Sequence, residues 1–547
     1  MDEEIEEIIS KWNPIIETVA YKEFIKDLYS KPIIIPFIYR EIYNKVVKPV
    51  LKNKDMWGLL IIKGPRRIGK TTLLYYIVNR IVKDVEKGEF NFDIKNILYL
   101  SLDYEKLDSN LFEKILETIL NKKEKKVILL DEASFIPEWN KIVKSFIDRK
   151  LINDSIIIVT GSYGVDLKEA ERLLYGRTGN VYTIKGSLKS GPFQFLFPIR
   201  FPEMIGEFEV YNKLKEFLKN KKIIKNTKLP TIREVILSKI IDKGEDISFL
   251  EEVDDYIKNT LSKFFEAFIL TGGFPKYFKD YLNANLDENI LINAYNDFYQ
   301  LIKADAKKLF PKYYKETIFR DDIFESILKN LTERKSGEFS IENILNDINR
   351  FLSQYTIKRK ELEDYLDFML STKLIFKIKP IKFEKRWLEF IEGKSKLKLY
   401  FRDSLIYLSF YSRIRNINNI KELIKSIKDK NLYGYFFENI VVRHFVDLPF
   451  LTEPAPIDID LYEEKSLGYY RSEEFEIDIV TWFKKYRGSK ELVFAEVTTQ
   501  DKKDLSNILD WINKEFPKHR LIVITEDKLE IDNDIVFIPA YLILSLI

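Results

Sequence analysis

The 547-residue chain is too long for a single hydrophobic core, so two to four domains are expected. Its 89 Lys and Arg against 86 Asp and Glu leave a net charge of +3, which excludes a global field that would draw in a polyanion, so any nucleic-acid surface has to be local. The absence of Cys excludes disulfides, thiolate metal sites and cysteine nucleophiles, and the two histidines, His444 and His519, lie too far apart in sequence to suggest a histidine-rich metal centre. No basic-then-apolar leader opens the chain and no apolar run is long enough to span a bilayer, so a cytoplasmic location without membrane partners is expected.

Residues Met1 to Asp55 read as largely helical, with Ile5, Ile8, Ile9 and Trp12 at amphipathic spacing. The plain reading is a packing extension, and Arg40 to Tyr43 falls on a helix just before the first strand. Next comes Leu59 to Arg80, LLIIKGPRRIGKTTLLYYIVNR. An apolar run breaks at Gly64, and the apolar spacing turns helical after Thr72, giving strand, glycine loop and helix. Gly64 to Thr71 fits GxxxxGK(S/T), a phosphate-binding loop. Gly64, Pro65, Arg66, Arg67, Ile68, Gly69, Lys70, Thr71 and Thr72 form the cradle, in which backbone N–H groups close on the β-phosphate of ATP. Lys70 reaches the β- and γ-phosphates, Thr71 is placed to ligate Mg2+, and the helix N-terminus adds its partial positive charge.

Asn96 to Leu102 is a second apolar strand, and Lys126 to Glu132 (KVILLDE) a third that ends in two carboxylates. Asp131 is read as supporting the metal ion and Glu132 as polarising the attacking water; the plain alternative is a solvated strand end. Ser155 to Thr160 is a fourth strand running into Gly161-Ser162, and either Thr160 or Ser162 could sense the γ-phosphate. Arg172 and Arg177, in EAERLLYGRTG, are each an arginine-finger candidate acting on a neighbouring subunit or a structural ion-pair partner. The expected fold is α/β, a doubly wound parallel sheet of the P-loop type.

The segments GPRRIGKTT, LLDEASFIPEWNKIVKSFID, IVTGSYG with LYGR, and PFQFLFPIRFPEM occur in an order that resembles archaeal and bacterial AAA-like ATPases carrying a restriction-endonuclease-like domain. LTGGFPKYFKDYL (270–282) resembles that family's GGFP element in a helical lid. KLYFRDSLI (398–406) resembles its segment between a DNA-binding-like module and the C-terminal domain. The resemblance spans almost the whole chain, more strongly in its first part. It implies a lid that moves with hydrolysis state.

The remaining chain divides accordingly. Residues 1–209 are expected to be the ATPase domain with its helical extension, and 210–310 the lid. Residues 311–412 read as a winged helix, with a basic helix start at Thr356 to Lys360 and a wing strand at Leu374 to Ile381. Such a module contacts either DNA or protein, and the basic, aromatic stretch Lys382 to Arg402 favours DNA. In 413–547 a helix glutamate, Glu438, and two strand acids, Asp478 and Glu496, resemble the PD-(D/E)xK nuclease core and would converge on Mg2+. Thr498 stands where that motif has lysine, so Lys490, Lys502 or Lys503 would have to substitute, or the domain is a degenerate binding module. The expectation is an ATP- and Mg2+-dependent ATPase coupled to DNA, working as a homo-oligomer of ring type. The alternatives are an ATP-gated nuclease and a switch that binds protein partners.

Overall fold

The computed structural model describes every residue except 1, 31–33, 106, 123, 153, 162–169, 171, 184–191, 226–228, 335–337, 353–355, 385–386, 392–396, 447–466, 485–489 and 501–502. The described residues form two compact units, the first comprising 1–197 and the second most of 198–547.

The first unit is built on a five-stranded sheet of β1 (Gly58–Lys63), β2 (Ile97–Ser101), β3 (Val127–Asp131), β4 (Ile156–Gly161) and β5 (Phe193–Phe195), in the order β2-β3-β4-β1-β5. All pairings are parallel, with Ile62 opposite Thr160 and Leu130 opposite Val159, so the carboxyl ends of β1, β3 and β4 lie side by side. Every residue of β1, β3 and β4 is buried, as expected of strands covered on both faces. The covering helices turn apolar residues inward at helical spacing: Leu73, Leu74, Ile77 and Val78 on Lys70–Glu86, and Trp139, Val143, Phe146 and Ile147 on Trp139–Asp148. The extension is part of this core. Ile5 and Ile8 pack with sheet residues, and Asn13 pairs with both backbone groups of Tyr99, accepting at 2.8 Å and donating at 3.0 Å. Asn13 thereby satisfies part of the open edge of β2.

The second unit opens with helices that include Glu209–Asn220, Leu229–Ile241, Asp255–Thr271, Pro275–Asn283 and Glu288–Tyr313. There follow a helix (Asp321–Thr332), β6 (Glu338–Phe339), two helices (Ile341–Phe351 and Arg359–Ser371), β7 (Ile375–Glu384), β8 (Trp387–Phe390) and β9 (Leu397–Phe401). After helices Ser404–Arg415, Ile420–Asp429 and Tyr433–Val446 come β10 (Leu467–Arg471), β11 (Glu476–Lys484), β12 (Lys490–Val497), β13 (Leu521–Thr525), β14 (Glu530–Ile531) and β15 (Ile535–Pro539). These strands join in one sheet, β14-β15-β13-β12-β11-β10-β7-β9-β6, with β8 alongside β7. The first half of β7 pairs antiparallel with β9 (Ile375 opposite Phe401), and its second half pairs parallel with β10 (Tyr470 opposite Ile381). One strand thus joins the β6–β9 part of this sheet to the strands from β10 onward.

Two polar devices tie the helical part of this unit to the rest. Arg520 donates to the carbonyls of Lys239 (3.1 Å), Asp242 (2.7 Å) and Glu245 (2.9 Å), capping the end of helix Leu229–Ile241. Asp403 accepts from the backbone N–H of Gly273 at 2.8 Å and from its own helix start, Leu405 N–H, at 2.9 Å. A Cβ on Gly272 would lie 1.7 Å from the Asp403 carboxylate, and one on Gly273 would lie 2.2 Å from the Ile199 carbonyl. Close approach therefore requires both glycines of the GGFP element. Burial pushes the Asp403 carboxyl up to about 6, although Arg443 and the two N–H donors pull the other way.

Candidate nucleotide site and acid–lysine cluster

The loop from Gly64 to Gly69 leaves the end of β1 and enters the helix that begins at Lys70. Gly69 has φ 101°, a left-handed conformation open to glycine, and a Cβ there would meet the Tyr39 hydroxyl at 2.4 Å. Arg67 also takes positive φ, 64°, at the tip of the loop. Lys70 is buried and folds its ammonium back into the loop, donating to the carbonyls of Gly64 (3.1 Å) and Pro65 (3.2 Å) and lying 3.5 Å from Glu132 Oε1.

The acids arrive from β3. Asp131 accepts from Thr71 Oγ1 at 2.7 Å, from the Tyr99 hydroxyl at 2.9 Å and from Thr160 Oγ1. Burial pushes its carboxyl up, and the hydrogen bonds from Thr160 and Thr71 act against that. Glu132 follows with φ 55°, its N–H donating to Thr160 Oγ1 at 3.1 Å. This left-handed turn directs Glu132 toward Lys70 while Asp131 stays on Thr71. Thr160, at the end of β4, touches both acids through one hydroxyl. Ser162, the other sensing candidate, lies outside the described residues. The Thr71 hydroxyl and the Asp131 carboxylate are hard oxygen donors within hydrogen-bond distance of each other, a set that fits a magnesium ion with its water shell.

The arginines are placed differently. Arg172 is exposed on a short helical turn, and Arg177 Nε bonds Asp148 Oδ1 at 2.7 Å on the same chain, both side chains being exposed. Exposed pairs of this kind contribute little, about 1 kcal/mol or less. The structure brings neither arginine to the phosphate loop of its own chain.

Within the second unit, Glu438, Asp478 and Glu496 lie close together, with lysines threaded between them. Lys398, from β9, is almost fully buried, with its ammonium 2.7 Å from Glu476, 3.2 Å from Asp478 and 3.3 Å from Glu438. Tyr400 donates its hydroxyl to Glu438, and Lys503 is ion-paired with Glu496. Glu496 accepts from the Asp478 N–H and Asp478 from the Val497 N–H, both at 3.2 Å, which locks β11 to β12 at this point. Burial opposes charge on Asp478, but Lys398 and then Lys503 overcome it and hold that carboxyl below its ordinary value. Burial and the neighbouring Asp478 push Glu496 up. Among the described residues no group of three or more His, Asp or Glu is arranged to hold a metal ion. In this arrangement the acids are ligands of ammonium groups. Of the substitute lysines, Lys503 reaches the cluster; Lys502 and the Lys490 side chain lie outside the described residues.

Two of the three cations at the basic start of helix Arg359–Ser371, Arg359 and Lys360, are paired within the chain, and Lys358 is exposed. Arg359 is paired with Glu342 at 2.6 Å and Glu363 at 2.9 Å, and Lys360 with Asp364 at 2.7 Å.

Comparison with known proteins adds a class. Residues 57–195 match a family described as an AAA domain, and residues 262–422 match a family described as a domain of unknown function, DUF8612. No curated protein matches the chain. Similar solved structures include the Aeropyrum pernix ORC1 protein in complex with DNA, at 9% identity and TM-score 0.29, covering 72% of this chain and 95% of that one. The Aeropyrum pernix ORC2 protein has 11% identity and TM-score 0.33 over 72% and 93%. A mutant of Thermotoga maritima RuvB has 12% identity and TM-score 0.25 over 65% and 91%. The match over residues 57–195 to an AAA domain supports an ATPase-type nucleoside triphosphate hydrolase in general. No helix among the described residues is long and apolar enough to cross a membrane.

Sequence reasoning missed Tyr39. Its ring is buried against Tyr76, and its hydroxyl donates at 2.6 Å to the Gly69 carbonyl, the same oxygen that takes the first helical hydrogen bond from Leu73 at 2.9 Å. The signal was its position on the helix preceding β1, although no spacing rule points from that helix to the loop. Tyr39→Phe is expected to weaken nucleotide binding several-fold and to cost about 1 kcal/mol of unfolding stability. Titration with a fluorescent ATP analogue and urea denaturation check the two effects.

Proposed function

We propose that the chain is a magnesium-dependent ATPase that couples its nucleotide state to DNA binding or processing through its second unit. The observation that carries this reading is the meeting of Lys70, Thr71, Asp131, Glu132 and Thr160 at the adjacent ends of β1, β3 and β4. In the proposed reaction Lys70 leaves its loop carbonyls for the β- and γ-phosphates, and Glu132 accepts a proton from the attacking water. Thr160 holds both acids in register. Thr71 and Asp131 would hold Mg2+, which supplies charge neutralisation on the phosphates. Either Arg172 or Arg177 is assigned to a neighbouring subunit's site in a ring, a role that would require Arg177 to exchange Asp148 for the phosphate.

The lid is assigned to 210–310, a winged helix to 311–412 and a nuclease-like domain to 413–547. The order helix, strand, two helices, then paired β7 and β9, with β6 on β9, supports the winged-helix assignment. A second reading, an ATP-gated DNA nuclease, is favoured by one contact, that of Lys503 with Glu496, which supplies from a later position the lysine absent at Thr498.

The test is ATP hydrolysis with and without single-stranded, duplex and branched DNA. Lys70→Ala is expected to abolish turnover under all conditions, and one DNA form is expected to raise the wild-type rate. Turnover that survives Lys70→Ala would overturn the ATPase site. A rate indifferent to every DNA form would transfer the output to protein partners.

A further inference from the structure

The face of the second unit that looks basic in sequence is the start of helix Arg359–Ser371, where Arg359 and Lys360 are already matched to Glu342, Glu363 and Asp364 and the exposed Lys358 is left with no ion pair among the described residues. A cation paired in this way offers a phosphate little net attraction, since the carboxylate beside it repels the same phosphate. Unmatched charge also lies elsewhere in the same unit. A cleft of about 690 Å³ opens between helix Glu288–Tyr313, the helices Asp321–Thr332 and Ile341–Phe351, and the end of helix Ser404–Arg415.

Two of its cations, Lys329 and Arg413, have no ion pair among the described residues; each is placed over an aromatic ring. Lys329 Nζ stands 4.2 Å from the Phe351 ring centre and the Arg413 guanidinium 5.5 Å from that of Tyr299. The acids in the cleft are taken: Asp322 by Arg320, and Glu325 by the Tyr299 hydroxyl at 2.6 Å and Lys303 at 2.8 Å, with Arg413 close enough to help hold the Glu325 carboxyl down without an ion pair to it. Phe351 is 51% exposed at the rim, an apolar ring left in water beside an unmatched ammonium.

We propose that this cleft, rather than the start of helix Arg359–Ser371, binds single-stranded nucleic acid, with a base stacked on Phe351 and its phosphates on Lys329 and Arg413. The cleft volume lies in the range of small-ligand sites, enough for a nucleotide unit, and stacking beside cations is how strands are held without sequence readout. The proposal rests on the DNA-coupled reading above and names the surface that reading requires. A free nucleotide offers the same chemistry as one unit of a strand, so the two sources are separated by experiment.

The experiment is fluorescence anisotropy of the full chain with a labelled oligothymidylate, with thymidine monophosphate as competitor. Lys329→Glu, Arg413→Glu and Phe351→Ala are each expected to weaken binding by about tenfold, the scale of one stacked base or one lost phosphate contact. Arg359→Ala with Lys360→Ala is expected to leave it within about twofold, since both cations stay occupied by carboxylates. The dependence on salt is expected to flatten in the Lys329 and Arg413 variants. Competition by thymidine monophosphate at concentrations matching the oligonucleotide would overturn the strand assignment in favour of a free nucleotide. Binding that survives the three cleft variants, or that is lost in the Arg359 and Lys360 variant, would overturn the site. ATP turnover of each variant without DNA, expected to equal wild type, reports that the fold is intact. DNA-indifferent turnover with intact cleft binding would reject the coupling alone.

Discussion

Glu132→Gln is expected to lower ATP turnover by about 10²–10⁴-fold, the range for removing a positioned general base, while nucleotide binding persists. The separation follows from geometry. Binding depends on the loop and on Lys70, and glutamine preserves the shape and volume of the side chain that lies 3.5 Å from that ammonium. The left-handed backbone at Glu132 and its N–H bond to Thr160 are indifferent to the side-chain charge, so the amide occupies the place of the carboxylate. What is lost is an acceptor for the water's proton. Phosphate release under steady-state conditions, with titration of a fluorescent ATP analogue alongside, reads both quantities. Turnover near wild type would move the base to another residue, and a parallel loss of binding would make Glu132 a structural partner of Lys70.

The largest effect on stability is expected at Lys398. In Lys398→Met, Glu438, Glu476 and Asp478 keep their positions without the ammonium that lies 2.7–3.3 Å from each. Removing one partner from a buried ionic network leaves uncompensated charge and costs about 3–5 kcal/mol. The effect depends on pH in a defined sense. Asp478 is held below its ordinary value in the wild type, so it contributes stability above the unfolded-state value of about 4, and that contribution is lost as pH falls through the lower folded-state value. Without Lys398, burial dominates and the folded-state value lies above the unfolded one. The difference between the two proteins is therefore full at pH values above the variant's raised folded-state value, shrinks as pH falls below that value, and is lost once pH has also passed the wild type's lowered one. Urea denaturation at a series of pH values measures it. A gap that stays constant across the series would mean that Lys398 acts by packing rather than by charge.

The nucleotide site was legible because its chemistry is local. Gly64 to Thr71 carries the loop in consecutive residues, and an apolar run ending in Asp131-Glu132 reads as a buried strand that delivers acids at its end. Thr160 could not be separated from Ser162 in sequence, since both close β4; register separates them, placing Thr160 next in line with Asp131. The acids Glu438, Asp478 and Glu496 were found through a resemblance, whereas Lys398 was not, because it comes from a strand outside the expected nuclease domain. Charge counting along the chain marks Thr356 to Lys360 as a basic surface that would meet DNA or a protein partner. It could not see that Glu342, from another helix, stands opposite Arg359, because neutralisation across a fold leaves no trace in local composition. Asp403 and Gly273 fall in two separate motif segments, KLYFRDSLI and LTGGFPKYFKDYL, and only the fold reveals that they are two ends of one hydrogen bond.

Strand β7, which pairs with β9 at its start and with β10 at its end, has a consequence for how this unit is inherited and handled. A chain cut near residue 412 would leave β10 with bare amides and carbonyls along the side that β7 now occupies, and with Tyr469 and Tyr470 beside that new edge. Exposed edges of this kind recruit other chains. The strands before and after residue 412 are therefore not interchangeable cassettes: shuffling either set onto a different partner would require a replacement strand, so they are expected to travel through evolution as a single heritable block.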